Sequence, residues 1–214
     1  MSVRIKICGI VQPDDAAAAV DAGADLIGLN FVADSPRCLS LDDAEAIARR
    51  VEGQVERVAI FRDAPWAEIE RVTRRVDLER IQFHGDESEE DIELVDYPVI
   101  KAVRGADREA ADRYPGALLL LDHPSKGGGM GEAWNWTEAA ELIAEGADLI
   151  LAGGLNPDNV AAALEGLGDL LPWGVDVATG VEREGGVRKD AARMAAFVAA
   201  VRQVDIVEHV EEID

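Results

Sequence analysis

Short apolar segments alternate with amphipathic segments along the whole chain. The apolar segments are nearly continuous in hydrophobic residues and are too short for helices, so they predict buried strands. These predicted strands span 3–8, 25–31, 55–61, 79–84, 98–103, 117–122, 148–152 and 173–178. The amphipathic segments between them predict helices near 13–22, 41–51, 65–76, 87–95, 107–113, 136–145, 157–166 and 188–203.

Turn and capping residues support several of these boundaries. Pro13, Pro157 and Thr137 stand at predicted helix starts, where a proline or a hydroxyl side chain is favoured. Gly23 and Gly146, in the similar segments AGAD and EGAD, indicate helix ends just before strands. Eight strands that alternate with eight helices predict a parallel sheet covered by helices.

The number of units favours a single (β/α)₈ TIM barrel in the α/β class, with a doubly wound open sheet as the alternative. The chain has 214 residues and no linker rich in Gly, Pro or Ser, so we expect one domain over 1–214. From about residue 204 the sequence becomes an acidic C-terminal extension.

The charge balance limits the classes of partner that the protein is expected to bind. The formal net charge is -22, and the acidic residues are spread over the helical segments instead of forming one tail. Such a surface repels nucleic acid and anionic membranes, so neither is an expected partner. Arginine greatly outnumbers lysine, and we interpret the acidic, lysine-poor surface as adaptation to molar salt in a halophile.

The lack of predicted targeting signals and the small number of cysteines favour a cytoplasmic location. No run of about 18 apolar residues predicts a membrane span, and the N-terminus lacks the apolar core of a signal peptide. Two cysteines, Cys8 and Cys38, do not make a disulfide framework. A regulatory disulfide between them would be disfavoured in a reducing compartment.

Polar residues that could take part in catalysis stand where the predicted strands end. Strand 1 ends in Cys8, strand 4 runs into His84, strand 6 ends in Asp122 and strand 8 contains Asp176. The loop after strand 2 carries Arg37. Because the carboxyl ends of barrel strands and their loops build the active site, we expect these side chains to meet.

The loops after strands 7 and 8 predict a phosphate site. Gly153 and Gly154 precede one predicted helix start, and Thr179 and Gly180 follow the last strand. Glycines let an anion approach backbone N–H groups, and loops at this position hold phosphate in many barrels. Singly each glycine pair is an ordinary turn; together they favour phosphate binding.

Alternation along strand 1 places Lys6 and Cys8 on the barrel interior. A buried lysine needs a carboxylate, and Asp176 on the neighbouring strand 8 is the candidate partner. This pair is either structural or catalytic. Cys8 alone fits a small buried residue, but nearby cations would lower the pKa of its thiol and make it reactive.

The motifs KICGI, GADLIGLNFVADSPR, IQFHGDE, LLLLD…GGMGEAWNW, LILAGGLNPDNV and GVDVATGVE resemble the phosphoribosylanthranilate isomerase family, in order along nearly the whole chain. The resemblance implies an Amadori rearrangement of N-(5-phosphoribosyl)anthranilate to 1-(2-carboxyphenylamino)-1-deoxyribulose 5-phosphate in tryptophan biosynthesis. It implies Cys8 as general base, Asp122 as general acid and Arg37 as the partner of the anthranilate carboxylate. Gly153, Gly154, Thr179 and Gly180 would hold the phosphate.

The chemistry of these residues agrees with the implied roles. Ring opening needs a proton, and Asp122 after an apolar strand would have a raised pKa suited to giving one. A thiolate can then remove the C2 proton, and the planar fork of Arg37 suits a carboxylate. No cofactor or metal is expected. Lys6, His84 and Asp176 are further active-site candidates.

Three residues depart from the family pattern: His123 where threonine is usual, Met130 where a small residue is common, and Thr179 where serine is usual. His123 would either modulate the pKa of the adjacent Asp122 or cap its strand, and we expect the second. Indole-glycerol-phosphate synthase, a histidine-pathway aminoaldose isomerase and a non-catalytic phosphosugar-binding barrel are the alternatives. Cys8 argues against the first two alternatives, and Cys8 together with Asp122 argues against the third. Members occur as monomers and dimers, so monomer and homodimer both remain open.

Overall fold

The computed structural model describes residues 2–124 and 134–211, with side chains described as far as Val204. Eight parallel strands close into one barrel in chain order, and β8 pairs with β1. The strands are β1 (Arg4–Ile7), β2 (Leu26–Asn30), β3 (Glu56–Phe61), β4 (Arg80–Phe83), β5 (Val99–Arg104), β6 (Leu118–Asp122), β7 (Leu149–Leu151) and β8 (Gly174–Val177). The predicted (β/α)₈ barrel is confirmed, and the open sheet is wrong because the first and last strands pair.

An α-helix follows each strand. The helices are α1 (Pro13–Ala22), α2 (Leu41–Arg50), α3 (Trp66–Thr73), α4 (Glu89–Glu93), α5 (Arg108–Arg113), α6 (Ala139–Ala144), α7 (Val160–Glu165) and α8 (Ala191–Glu211). Short 3₁₀ helices, Trp136–Glu138 and Thr179–Val181, precede α6 and follow β8. Among the described residues, none of these helices is both long and apolar enough to cross a bilayer.

Alternation along the strands produces two apolar layers. Ile5 and Ile7 of β1 are fully buried in the larger layer, which packs between the strands and the helices. Leu26, Val58 and Ile100 belong to a smaller cluster that fills the barrel interior. The interior positions of β1 are thus left to polar residues, as the sequence pattern predicts.

The N-terminal end of the barrel is closed by an aromatic and ionic cluster. The guanidinium carbons of Arg4 and Arg80 lie 4.8 and 5.4 Å from the ring centre of Trp173. The carboxylate of Glu56 accepts hydrogen bonds from both arginines, at 2.8 and 2.6 Å. This end of a TIM barrel serves stability, so Arg4 is a structural residue.

Several predicted helix boundaries differ from the observed ones, including the start of α7 and the end of α8. Helix α7 begins at Val160 instead of 157, because Asn159 Oδ1 accepts from the Asn156 N–H at 2.8 Å and holds the intervening residues in a turn. Helix α8 continues to Glu211, beyond the predicted end at 203. A separate acidic extension from about 204 stays a prediction.

Candidate active site

A cavity of about 260 Å³ opens at the C-terminal end of the strands. Its lining includes all the site residues predicted from the sequence except Lys6: Cys8, Arg37, His84, Asp122, Gly153, Gly154, Asp176, Thr179 and Gly180. A second, polar cavity of about 390 Å³ adjoins it and shares Arg62, His84 and Asp122. The structure therefore brings the predicted site residues together at one barrel mouth.

Lys6 lies beneath this cavity, paired with Asp176. The two residues are opposite each other in the β1–β8 register, and Lys6 Nζ donates to Asp176 Oδ1 at 2.8 Å. Burial alone would lower the pKa of Lys6, but the adjacent Asp176 carboxylate and Cys8 together outweigh it and raise that pKa. The predicted ion pair is confirmed.

Cys8 directly follows β1, where its N–H donates to the Val177 carbonyl at 2.8 Å. Burial raises the pKa of its thiol and the negative charge of Asp176 raises it further, against the lowering influence of Lys6 and Lys189. The expectation of a pKa lowered by neighbouring cations is wrong, because desolvation and a carboxylate outweigh the two ammonium groups. Both Cys8 and Cys38 are free thiols.

Asp122, at the end of β6, is held by hydrogen bonds on both carboxylate oxygens. His84 Nε2 lies 3.2 Å from Oδ2, and the backbone N–H of His123 donates to Oδ1 at 2.8 Å. Burial would raise the pKa of Asp122, but the His84 hydrogen bond and charge, with the contribution of His123, lower it. The expected raised pKa is therefore wrong for the protein without substrate.

Gln82 sets the orientation of the His84 ring. Gln82 Nε2 lies 3.1 Å from His84 Nδ1, and since an amide nitrogen only donates, Nδ1 is the acceptor. The ring proton of a neutral His84 then sits on Nε2 and points to Asp122. Gln82 was missed by the sequence reasoning, although its interior position follows from the same alternation as His84.

The two glycine loops lie against each other at the mouth. Gly153 and Gly154 have φ angles of 75° and 81°, a region that favours glycine. Within the described residues, their N–H groups donate no hydrogen bond to protein. A Cβ on Gly180 would lie 2.1 Å from the Leu155 carbonyl, so only glycine lets the loops meet.

Two tryptophans fix the carbonyl just before the first glycine loop. Trp134 and Trp136 each donate their indole N–H to the Ala152 carbonyl, at 3.0 and 2.9 Å. A Cβ on Gly153 would lie 2.5 Å from the His123 nitrogen and 3.1 Å from Asp122 Oδ1. The glycine loop thus presents its backbone beside the carboxylate of Asp122.

Arg37 does not stand free in the mouth. Its Nε and Nη2 donate to the two carboxylate oxygens of Glu182 at 2.6 and 3.0 Å, and Nη2 also reaches Thr179 Oγ1 at 3.2 Å. Glu182 was missed as a site residue, since nothing in the sequence pairs positions 37 and 182 until the barrel closes. Met130, the remaining departure from the family pattern, lies outside the described residues.

Comparison with known proteins assigns the family. Residues 5–200 match the model of the N-(5'phosphoribosyl)anthranilate (PRA) isomerase family. A relative from Pseudomonas aeruginosa strain LESB58, named N-(5'-phosphoribosyl)anthranilate isomerase, is 46% identical, and the alignment covers 94% of this chain and 96% of the relative. One from Thiobacillus denitrificans with the same name is 43% identical over 94% of this chain and 99% of its own.

Solved structures of phosphoribosylanthranilate isomerases also match this chain. The phosphoribosyl anthranilate isomerase of Thermus thermophilus superposes with a TM-score of 0.84 at 36% identity, covering 94% of this chain and all of the other. An isomerase in complex with reduced 1-(o-carboxyphenylamino)-1-deoxyribulose 5-phosphate superposes with a TM-score of 0.81 at 32% identity, over 94% of this chain and 99% of the other. On the match over most of its length and on these relatives, the chain belongs to the N-(5'-phosphoribosyl)anthranilate isomerase family.

Proposed function

We propose that the barrel mouth converts N-(5-phosphoribosyl)anthranilate to 1-(2-carboxyphenylamino)-1-deoxyribulose 5-phosphate with Cys8 as general base and Asp122 as general acid. The protein is an isomerase of tryptophan biosynthesis, as its family and named relatives indicate. The observation that carries the assignment of roles is the meeting of Cys8, Asp122, Arg37 and the two glycine loops around one cavity.

The anionic ends of the substrate fix its place in this cavity. The phosphate is received by the backbone of Gly153, Gly154 and Gly180 and by Thr179, next to the N-terminal end of a 3₁₀ helix. The anthranilate carboxylate is received by Arg37, whose planar cation suits it. The ribose then lies between the two, next to Cys8 and Asp122.

The first step is ring opening. Asp122 gives a proton to the ring oxygen of the ribose while the C1–O bond breaks and the nitrogen lone pair forms an iminium at C1. Asp122 is ionised in the resting site because its pKa is lowered. The phosphate and carboxylate of the substrate bring negative charge into the mouth, which favours protonation of this carboxylate.

The second step is removal of the C2 proton. The iminium withdraws electrons from C2, and the thiolate of Cys8 takes the proton to form an enaminol. The enaminol becomes the ketose when C1 gains a proton and the C2 hydroxyl loses its own. The pKa of the thiol is raised in the resting site, and the cationic iminium beside it favours the thiolate. Each reacting species thus shifts the next group towards its active form.

The other predicted candidates support these two groups. Lys6 and Asp176 form a buried pair directly below Cys8, with Lys6 only 1% exposed, which fits a structural role. His84 holds Asp122 through the 3.2 Å contact. Neither role requires a metal or a cofactor.

Turnover tests this function. Anthranilate and ribose 5-phosphate condense in solution to the substrate, and its fluorescence decay reports consumption. We expect rapid decay with the wild type and almost none with Asp122→Asn, with the ketose identified after borodeuteride reduction by deuterium at C2, whereas reduction of the substrate would place it at C1. A folded wild type that leaves the fluorescence unchanged would contradict the proposal and leave a barrel that only binds phosphosugars.

The surface and the cellular setting are also part of the proposal. The net charge of -22, with few lysines, supports adaptation to molar salt and a cytoplasmic location, with no nucleic-acid or membrane partner. A solved structure describes monomers made from the dimeric isomerase of Thermotoga maritima, at 32% identity to this chain. Light scattering of this protein in molar KCl distinguishes a monomer from a homodimer.

A further inference from the structure

Glu182 binds Arg37 along one edge of its guanidinium group. Both carboxylate oxygens take part, Oε1 with Nε at 2.6 Å and Oε2 with Nη2 at 3.0 Å. Thr179 Oγ1 accepts from Nη2 as well, at 3.2 Å. The side chains are 14% exposed for Arg37 and 6% for Glu182, so this is a shielded bidentate pair and not a surface ion pair.

The aliphatic part of the Arg37 side chain lies close to the backbone of Gly9. Gly9 has a φ of 72°, and a Cβ there would lie 2.4 Å from Arg37 Cδ. Any larger residue would push the aliphatic stem of the arginine away. The glycine that follows Cys8 therefore places Arg37 as much as it turns the chain.

A count of donors shows which edge of Arg37 remains for a ligand. A guanidinium has five N–H donors, one on Nε and two on each terminal nitrogen. Glu182 and Thr179 engage Nε and Nη2, whereas Nη1 bonds no acceptor among the described residues. A substrate carboxylate in this cavity is left with the Nη1 side of the fork.

Charge balance explains why this pairing does not cancel the attraction of Arg37 for an anion. Lys189, with a fully buried side chain, donates from Nζ to Glu182 Oε1 at 2.9 Å and to the Ala178 carbonyl at 3.0 Å. Burial lowers the pKa of Lys189, and its bond to Glu182 opposes that shift. Burial raises the pKa of Glu182, but its bonds to Arg37 and Lys189 outweigh that and lower it. One carboxylate between two cations leaves the cluster with a net positive charge.

Asp15 of α1 holds the segment that carries Lys189. Its carboxylate accepts from the Arg188 side chain at 2.8 and 2.9 Å and from the Lys189 N–H at 3.2 Å. The cluster is thus anchored to a helix on the outside of the barrel and does not depend on the substrate for its shape.

We propose that Glu182 is a positioning residue that orients Arg37 towards the aryl carboxylate of the substrate and thereby sets the preference for an ortho-carboxylated arylamine. The proposal rests on the proposed function, in which Arg37 receives that carboxylate. A glutamate that merely competed with the substrate for Arg37 would have the opposite effect on substrate affinity when removed.

The test compares Glu182→Gln with the wild type on two substrates made in solution, the anthranilate adduct of ribose 5-phosphate and the aniline adduct that lacks the carboxylate. Glutamine keeps the shape but replaces one oxygen by a donor that faces Arg37 or Lys189. We expect the KM for the anthranilate adduct to rise at least about tenfold, a loss of about 1.4 kcal/mol. The KM for the aniline adduct and the inhibition constant of inorganic phosphate should stay within about twofold.

A double-mutant cycle tests whether Glu182 affects substrate binding through Arg37. In an Arg37→Gln background, Glu182→Gln should change the KM by less than about twofold, because the residue through which it acts is gone. Glu93→Gln, the same substitution at an exposed residue of α4, is the matched control and should leave every constant unchanged. If Glu182→Gln does not fold, Glu182→Asp withdraws the carboxylate by one methylene and should raise the KM in the same direction.

The possible outcomes distinguish a positioning role of Glu182 from a general structural loss and from failure of the proposed function. An unchanged or lower KM for the anthranilate adduct overturns the positioning role, and so does an equal weakening of both adducts and phosphate, which a general structural loss would produce. A full effect of Glu182→Gln in the Arg37→Gln background also overturns it. A wild type that does not turn over the anthranilate adduct removes the proposed function itself, which is a different failure.

Discussion

Replacing Lys6 by methionine removes one partner of a deeply buried ion pair under the active site. Lys6 Nζ lies 2.8 Å from Asp176 Oδ1, and the two side chains are 1% and 10% exposed. Methionine keeps much of the aliphatic volume, so the main loss is the charge. The Asp176 carboxylate is then left buried without its cation.

The expected loss of stability is large. Leaving one member of a buried pair unpaired costs about 3–5 kcal/mol. For a chain of this length, each kcal/mol moves the midpoint of thermal unfolding by about 2–4 °C, so we expect a decrease of roughly 6–20 °C. The double variant Lys6→Met with Asp176→Asn removes both charges and should recover much of the loss.

Urea unfolding followed by circular dichroism at pH 7 and fixed KCl measures these differences. Arg74→Met is the matched control, because Arg74 forms an exposed ion pair with Glu70 on α3 and its side chain is 75% exposed. We expect the control to stay within about 0.5 kcal/mol of the wild type. A Lys6→Met protein within about 1 kcal/mol of the wild type would refute the reasoning, as would a double variant as unstable as the single one.

Three further predictions concern the thiol, the phosphate loop and the surface. Burial raises the pKa of Cys8. The pH profile of its alkylation rate by iodoacetamide, measured in a Cys38→Ser background, should therefore inflect at a higher pH than that of a model thiol. Asp176→Asn removes a second group that raises this pKa, so it should move the inflection to lower pH. Gly153→Ala places a Cβ 2.5 Å from a backbone nitrogen at a φ of 75°, so the inhibition constant of inorganic phosphate should rise at least about tenfold. The urea midpoint of the wild type should rise between about 0.1 M and about 1 M KCl, because screening shortens the range of repulsion from about 10 Å to about 3 Å.

Each of these has a control or a contradicting result. For the thiol, an inflection at or below that of a model thiol would contradict the raised pKa. For the loop, Gly53→Ala has a similar φ of 70° but nothing within 4 Å, so it should leave phosphate inhibition unchanged; equal effects at both positions would argue against the tight packing at Gly153. For the surface, the same urea midpoint in dilute buffer and in molar KCl would rule out a salt requirement.

The barrel was predictable because each of its units is a local pattern. Eight apolar segments separated by amphipathic ones define the strands and helices without reference to any distant residue. The pairing of Lys6 with Asp176 also followed, since closure makes β8 the neighbour of β1 and alternation puts both side chains inside. The predicted site residues other than Lys6 therefore met at one cavity.

Other features depend on contacts that no local pattern contains. Glu182 lies 145 residues from Arg37 in the chain, and only the closed barrel brings them together. The direction of the pKa shifts of Cys8 and Asp122 is the difference between burial and specific partners, so its sign needs the actual neighbours. For both residues the sequence correctly located the group but predicted the wrong direction.

The most direct test of the account is the turnover of phosphoribosylanthranilate in molar KCl by the wild type, Cys8→Ala and Cys38→Ala. Cys38 is a second, exposed cysteine one residue beyond Arg37, so its replacement controls for the loss of a thiol near the mouth. We expect rapid loss of substrate fluorescence with the wild type and Cys38→Ala, and almost none with Cys8→Ala. Equal rates for the wild type and Cys8→Ala would contradict the assignment of Cys8 as the base that removes the C2 proton.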